Sequence, residues 1–113
     1  MTEVKALRYN EGKVDWTLLD FKACEPLAQA MMYGAGKYTR NNWKNLCEDP
    51  DQHLQSAMRH LIAAIEGEVY DESGVRHTGH VMANMMMYNY HTPMYPPTVN
   101  HPVLKDVQQL SLF

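Results

Sequence analysis

Asp49-Pro50-Asp51-Gln52-His53-Leu54-Gln55-Ser56-Ala57-Met58-Arg59-His60-Leu61-Ile62-Ala63-Ala64-Ile65-Glu66-Gly67 is the stretch that decides the fold. Its apolar residues Leu54, Ala57, Met58, Leu61, Ile62 and Ile65 recur three and four apart. That is the period of an amphipathic helix, not the alternation of a strand. Asp49 is the expected N-cap, with Pro50 at the first helical position, where its missing N–H costs nothing. Gly67 is the expected stop. His53, His60 and Ala64 lie along the edge of the apolar stripe.

Downstream, residues 67 to 76 read as a short acidic turn. A third helix is expected from His77 to about Tyr90 or His91, before Pro93, Pro96 and Pro97 forbid more. Upstream, Leu27, Ala28, Ala30, Met31, Met32 and Ala35 mark a helix that starts near Ala23 to Pro26 and is weakened at its end by Gly34 and Gly36. Proline at its first turn is well tolerated. Between these helices, residues 37 to 50 form a polar connection holding Tyr38 and Trp43, and a loop of this length inside one domain tends to carry function. Residues 1 to 17 have turn residues and charges but no helical period, as in an extended arm. Thr92 to Phe113 is a proline-punctuated tail with one weak amphipathic stretch, Val103 to Leu112. The expectation is an all-α protein: a compact bundle of three to four helices in a single domain over 1–113, with an N-terminal arm and a Pro-rich C-terminal tail.

Composition narrows the function. The chain has 113 residues, 13 acidic against 10 basic side chains and a net charge of -3. Such a balance offers no basic face for duplex nucleic acid. No run of about 18 apolar residues exists to span a membrane, and no apolar stretch follows the charged N-terminus as in a signal peptide. A cytoplasmic protein is expected. Cys24 and Cys47 lack CxxC spacing, so a disulfide framework is not expected, and Cys24 reads as a buried thiol.

Two oddities remain, six histidines and nine methionines. Met82, Met85, Met86 and Met87 read as core packing. His77, His80, Asn84, Met87 and His91 fall along one stripe of the third helix. Histidines at i and i+3 can converge on a divalent metal, with Glu68, Asp71 and Glu72 of the preceding turn as oxygen ligands. His60, on the antiparallel neighbour, can reach the same place. Glu68-x-x-Asp71 offers two carboxylates for magnesium or manganese bridging a polyphosphate. His91 is a lesser candidate, and His53 and His101 read as surface residues. Lys13, Lys37, Arg40 and Lys44 can neutralise phosphate, while Tyr38, Trp43 and Asn42 suit a purine. Phosphate-loop, dinucleotide-fold and hydrolase-triad motifs are absent.

The ordered set Gly12-Lys13, Glu25-Pro26-Leu27-Ala28, Tyr33-Gly34-Ala35-Gly36-Lys37-Tyr38, Asn42-Trp43, Arg59-His60-Leu61, Gly67-Glu68, Asp71, Ser73-Gly74, His77 and His80 resembles the phage dATP/dGTP diphosphohydrolase domain family over about residues 8 to 90. The resemblance implies a MazG-like all-α nucleotide pyrophosphohydrolase. Such an enzyme uses Mg or Mn to convert a (deoxy)purine nucleoside triphosphate to its monophosphate and pyrophosphate, in the host cytoplasm if phage-encoded. It implies Glu25, Glu68 and Asp71 as catalytic residues and His60, Glu68, Asp71, His77 and His80 as metal ligands. Lys13, Lys37, Tyr38, Asn42 and Trp43 would bind substrate. MazG-like enzymes also place a paired carboxylate on an earlier helix, but after Glu25 this chain has Gln29, Met31 and Met32 there. The size of the chain points to a homo-oligomer whose pocket draws on a second copy. A protein of another class, one that binds and sequesters a nucleotide or nucleotide-derived signal without catalysis, fits the same residues.

Overall fold

The structure is a computed structural model, and it describes residues 3–7 and 13–92. Residues up to Leu18 belong to one unit and those from Leu19 to a second. In the first, residues 3–7 and 13–15 carry no helix or strand, and a 3₁₀ turn spans Trp16–Leu18. Asp15 caps that turn by accepting from the Thr17 backbone N–H at 3.0 Å and from the Thr17 hydroxyl. The proline-rich tail from Pro93, its amphipathic stretch and His101 lie outside the described residues.

The second unit holds α1 (Glu25–Lys37), a 3₁₀ turn (Asn42–Lys44), α2 (Asp51–Ile65) and α3 (His77–His91). Among the described residues there is no strand, only an isolated bridge between Tyr70 and Arg76. The protein is all-α, as its periodicities require. No helix among the described residues is long and apolar enough to cross a membrane.

Helix α3 is the middle of the bundle. It packs against both α1 and α2, which barely touch one another. His60 meets His77 while His53 meets Asn84, so α2 runs antiparallel to α3. Helix α1 approaches α3 most closely where Pro26 meets Gly79. A Cβ on Gly79 would lie 2.7 Å from the Pro26 carbonyl carbon, so only glycine lets the two helices come this near. One turn further along both, Ala30 and Ala83 bury together with Val75, and Leu27, Met31 and Met87 pack around them.

Three local features differ from expectation. Pro50, not Asp49, holds the N-cap position of α2; the Asp49 carbonyl accepts from Gln52 N–H at 3.1 Å and its side chain makes no cap. Cys24 is half-buried. Most of the apolar stripe of α2 also does not face this chain's core. Ala57 is buried against α3, while Met58, Leu61, Ile62 and Ile65 stay 56%, 41%, 47% and 75% exposed. The face turned to α3 is the one carrying His53, Ala57 and His60, rotated about one residue (~100°) from the stripe.

The end of α2 is closed by a glycine cap. Gly67, at φ +97°, donates to the Ala64 carbonyl, and Glu68 N–H reaches back to the Ala63 carbonyl, each at 3.0 Å. This pair of bonds is the Schellman arrangement, which needs the left-handed conformation glycine adopts freely. A second tight turn follows. Asp71 Oδ1 accepts from Ser73 N–H at 2.9 Å and from the Ser73 hydroxyl, Gly74 takes φ +83°, and Asp71 N–H bonds the Val75 carbonyl at 3.0 Å. His77 N–H then donates to the Val69 carbonyl at 2.9 Å and α3 begins.

Candidate functional site

These two turns carry the carboxylates to the first turn of α3. Asp71 Oδ2 lies 2.9 Å from His80 Nε2, with both side chains largely buried. Ser73 Oγ is 3.3 Å from the same nitrogen. The His60 ring stacks on His80, centroids 4.5 Å apart and planes 18° apart. One donor atom from each of His60, Asp71 and His80 lies within 4.8 Å of the others, close enough to share one metal ion. His60 comes from α2, Asp71 from the turn and His80 from α3, so the group exists only when the helical hairpin is folded.

His77 stands behind this group. Its Nδ1 is 2.8 Å from His60 Nδ1, and the ring is buried. Glu68 Oε1 approaches His77 Nε2 to 3.3 Å, an ion-pair distance, without the alignment of a hydrogen bond. Glu68 and Asp71 therefore face different histidines, and Glu68 stays outside the three-donor group.

Electrostatics favour the metal-binding protonation states. Burial, and then the nearby His80 and His77, hold the His60 imidazole below its ordinary pKa, with Asp71 opposing and Arg59 adding to the effect. Burial pushes the Asp71 carboxyl up, but the bonds from the Ser73 hydroxyl and backbone, helped by His80, outweigh it and hold it below the usual range. A neutral imidazole and an ionised carboxylate are the forms that ligate metal.

The three helices leave a cleft of about 680 Å³ between α1 and α2, floored by α3. His80 lies in its wall. So do Lys37, Tyr38, Asn42 and Trp43, four of the five residues expected to contact substrate. Arg40 joins them. Tyr38 carries the Lys37 ammonium 5.4 Å from its ring centre, and Lys44 sits at the same distance from Trp43. Asn41, the turn residue between them, takes the left-handed conformation at φ 64°. Lys13 is an exposed residue of the first unit. Glu25 is exposed as the first residue of α1, where its charge complements the helix dipole.

His53, expected at the surface, is drawn partly inside. It is half-buried, hydrogen-bonds Asn84 at 3.2 Å and lies within 4.8 Å of donors on Cys47 and His91. The available signal was its position seven residues before His60, two turns back on the same face of α2.

The class the structure defines is a helical domain whose α2–α3 hairpin brings two imidazoles and a carboxylate together beside an aromatic, basic cleft. The family model described as dATP/dGTP diphosphohydrolase, N-terminal, matches residues 3–94, and the chain belongs to that family. A protein of Salmonella phage PMBT28 called dATP/dGTP diphosphohydrolase is 27% identical over 81 residues, which make up 71% of this chain. The aligned region spans 27% of that relative's length. No solved structure matches the chain.

Proposed function

We propose that this domain hydrolyses a purine deoxynucleoside triphosphate to its monophosphate and pyrophosphate with the help of a divalent cation. The observation that carries the reading is the convergence of His60 and Asp71 on His80, which lines the cleft that also holds Lys37, Tyr38, Asn42 and Trp43. Family membership and the name of the phage relative support the substrate class.

The donor set fits a metal. Two imidazoles and one carboxylate suit manganese better than magnesium, which prefers oxygen throughout. When bound, the cation supplies positive charge against the charge gathering on the phosphoryl group and the leaving pyrophosphate. Lys37 and Arg40 add fixed positive charge along the same cleft. Tyr38 and Trp43 offer stacking faces for the base, and the Asn42 amide offers paired hydrogen bonds to a purine edge.

In the reaction a water oxygen bonds the α-phosphorus, the α–β bridging P–O bond breaks and its electron pair leaves with pyrophosphate. Positioning and charge stabilisation supply most of the catalysis for such a transfer. We assign Glu25, from the resemblance, to orient the attacking water and accept its proton. Glu68 acts through His77. If His60 Nδ1 donates to His77 Nδ1, the remaining His77 proton sits on Nε2 facing the Glu68 carboxylate, and His60 Nε2 keeps its lone pair for the cation. Lys13 is assigned to the triphosphate by resemblance alone.

A second copy of the chain is the proposed cover for the exposed Met58, Leu61, Ile62 and Ile65 face of α2. Those side chains form one stripe at helical spacing, and no large apolar side chain in the described residues is fully buried. An apolar stripe left in water on a chain this small is the mark of an interface.

The test is a screen of purified full chain with manganese or magnesium against the deoxy- and ribonucleoside triphosphates, resolving products. Pyrophosphate and a deoxypurine monophosphate are expected, and Asp71→Asn should abolish both. Absence of pyrophosphate from every nucleotide overturns the reading. Tight binding of an intact nucleotide without turnover would establish the sequestering protein instead, a reading favoured by the lack of an α1 carboxylate in the donor group.

A further inference from the structure

At the other end of α3, Cys47 Sγ, a nitrogen of His53 and a nitrogen of His91 lie within 4.8 Å of one another. The residues come from three places: the loop after the Asn42–Lys44 turn, the first turn of α2 and the last residue of α3. Cys47 Sγ is 4.0 Å from His53 Nε2. The two imidazole rings are parallel within 4°, with centroids 5.9 Å apart. All three side chains are half-buried.

The protons of the two imidazoles are already placed. Asn84 Nδ2 donates to the His80 carbonyl at 2.8 Å, which fixes its amide so that Oδ1 faces His53 Nδ1 at 3.2 Å. An amide oxygen only accepts, so the His53 proton is on Nδ1 and the lone pair is on Nε2, the nitrogen nearest the thiol. His91 Nε2 donates to the Trp43 carbonyl at 2.6 Å, which leaves its lone pair on Nδ1. Holding the second N–H on a protein oxygen is how ligating histidines are oriented for a metal.

We propose that Cys47, His53 and His91 bind a borderline transition metal ion, zinc foremost, with a fourth position left for water or an incoming ligand. The thiolate selects against magnesium and calcium. Binding replaces the thiol proton, so one proton is released for each ion taken up. The site is separate from His60, Asp71 and His80, since the two groups share no residue. It ties the loop carrying Trp43 to α2 and α3, and His53 and Trp43 both line the cleft. Its occupation therefore fixes one wall of that cleft.

Cobalt(II) added to chelator-stripped full chain is the direct probe, because cobalt bound to a thiolate gives an intense near-ultraviolet charge-transfer absorption. That band should appear, reach its limit at one equivalent for the thiolate site and be displaced by zinc. It should vanish in Cys47→Ser, weaken in His53→Ala and His91→Ala, and persist in Cys24→Ser and Asp71→Asn. No band in the unaltered chain, or a band that survives Cys47→Ser, overturns the proposal. A measurement needing no variant accompanies it: zinc should slow alkylation of Cys47 but not of Cys24, and equal protection or none counts against the site.

Discussion

His60 Nδ1 and His77 Nδ1 face each other at 2.8 Å, so one of the two nitrogens must carry a proton and the other must not. This contact ties the tautomer of a proposed metal ligand to a buried residue that does not line the cleft. His77→Ala should therefore weaken manganese affinity by about 10- to 100-fold, the usual effect of losing such a supporting partner. Isothermal titration on a folded variant measures it. Glu68→Gln should act in the same direction but less, since Glu68 reaches the metal group only through His77.

Ser73 holds Asp71 ionised without being a ligand. Ser73→Ala removes the hydroxyl bond and should raise the Asp71 pKa, shifting the acid limb of the pH–rate profile upward while leaving the rate at neutral pH close to that of the unaltered chain. A Ser73→Ala profile that overlays the original would count against this role.

Stability should fall on acidification in two stages. The folded chain holds His60 below the ordinary imidazole value of 6.5, so the unfolded chain takes up that proton first. The contribution of neutral His60 is complete above 6.5 and is lost as pH falls towards its folded value. Asp71, held below 3.8, gives up its contribution in a lower window, below that value. Thermal midpoints recorded from pH 8 to pH 3 should decline accordingly, and His60→Gln should flatten the upper stage.

Gly79→Ala should destabilise the fold by roughly 1–3 kcal/mol, the range for overpacking, because the new methyl meets Pro26 backbone. Gly36→Ala is the matched control: nothing lies within 4 Å of its Cβ, so it should be neutral or gain up to about 1 kcal/mol of helix propensity. Denaturant unfolding of the two variants separates these outcomes.

Ile62→Glu should dissociate the proposed oligomer without unfolding the helix, because Ile62 is 47% exposed in the single chain. Sedimentation velocity gives the answer, and a monomeric unaltered chain would remove the interface.

The helices were legible because each has a period and a stop: α3 runs from His77 to His91 as the spacing of its histidines and the prolines after it require. The rotation of α2 was not. Leu54, Ala57, Met58, Leu61, Ile62 and Ile65 are the stripe that hydrophobic spacing assigns to a core, yet of these Ala57 alone is buried, on the His53–Ala57–His60 face that the structure turns to α3. Periodicity finds an apolar face but not what covers it. His60, Asp71 and His80 could be grouped from composition around one turn, whereas the separation of Glu68 from Asp71 depended on backbone bonds at Gly67 and Gly74. Those two glycines were visible, but the directions they impose on the side chains between them were not. The half-burial of His53 was not visible because the residues around it, Cys47, Asn84 and His91, come from distant parts of the chain.

The glycine-capped end of α2 also bears on the order in which the molecule assembles. Every residue of the proposed metal group, with His77 behind it, lies between His60 and His80, so its contacts close short loops. Proteins dominated by such local contacts fold fastest. The α2–α3 hairpin can thus form the end carrying the proposed metal group before α1 docks, and a cation bound there would hold that hairpin together while the Pro26–Gly79 contact is still unmade.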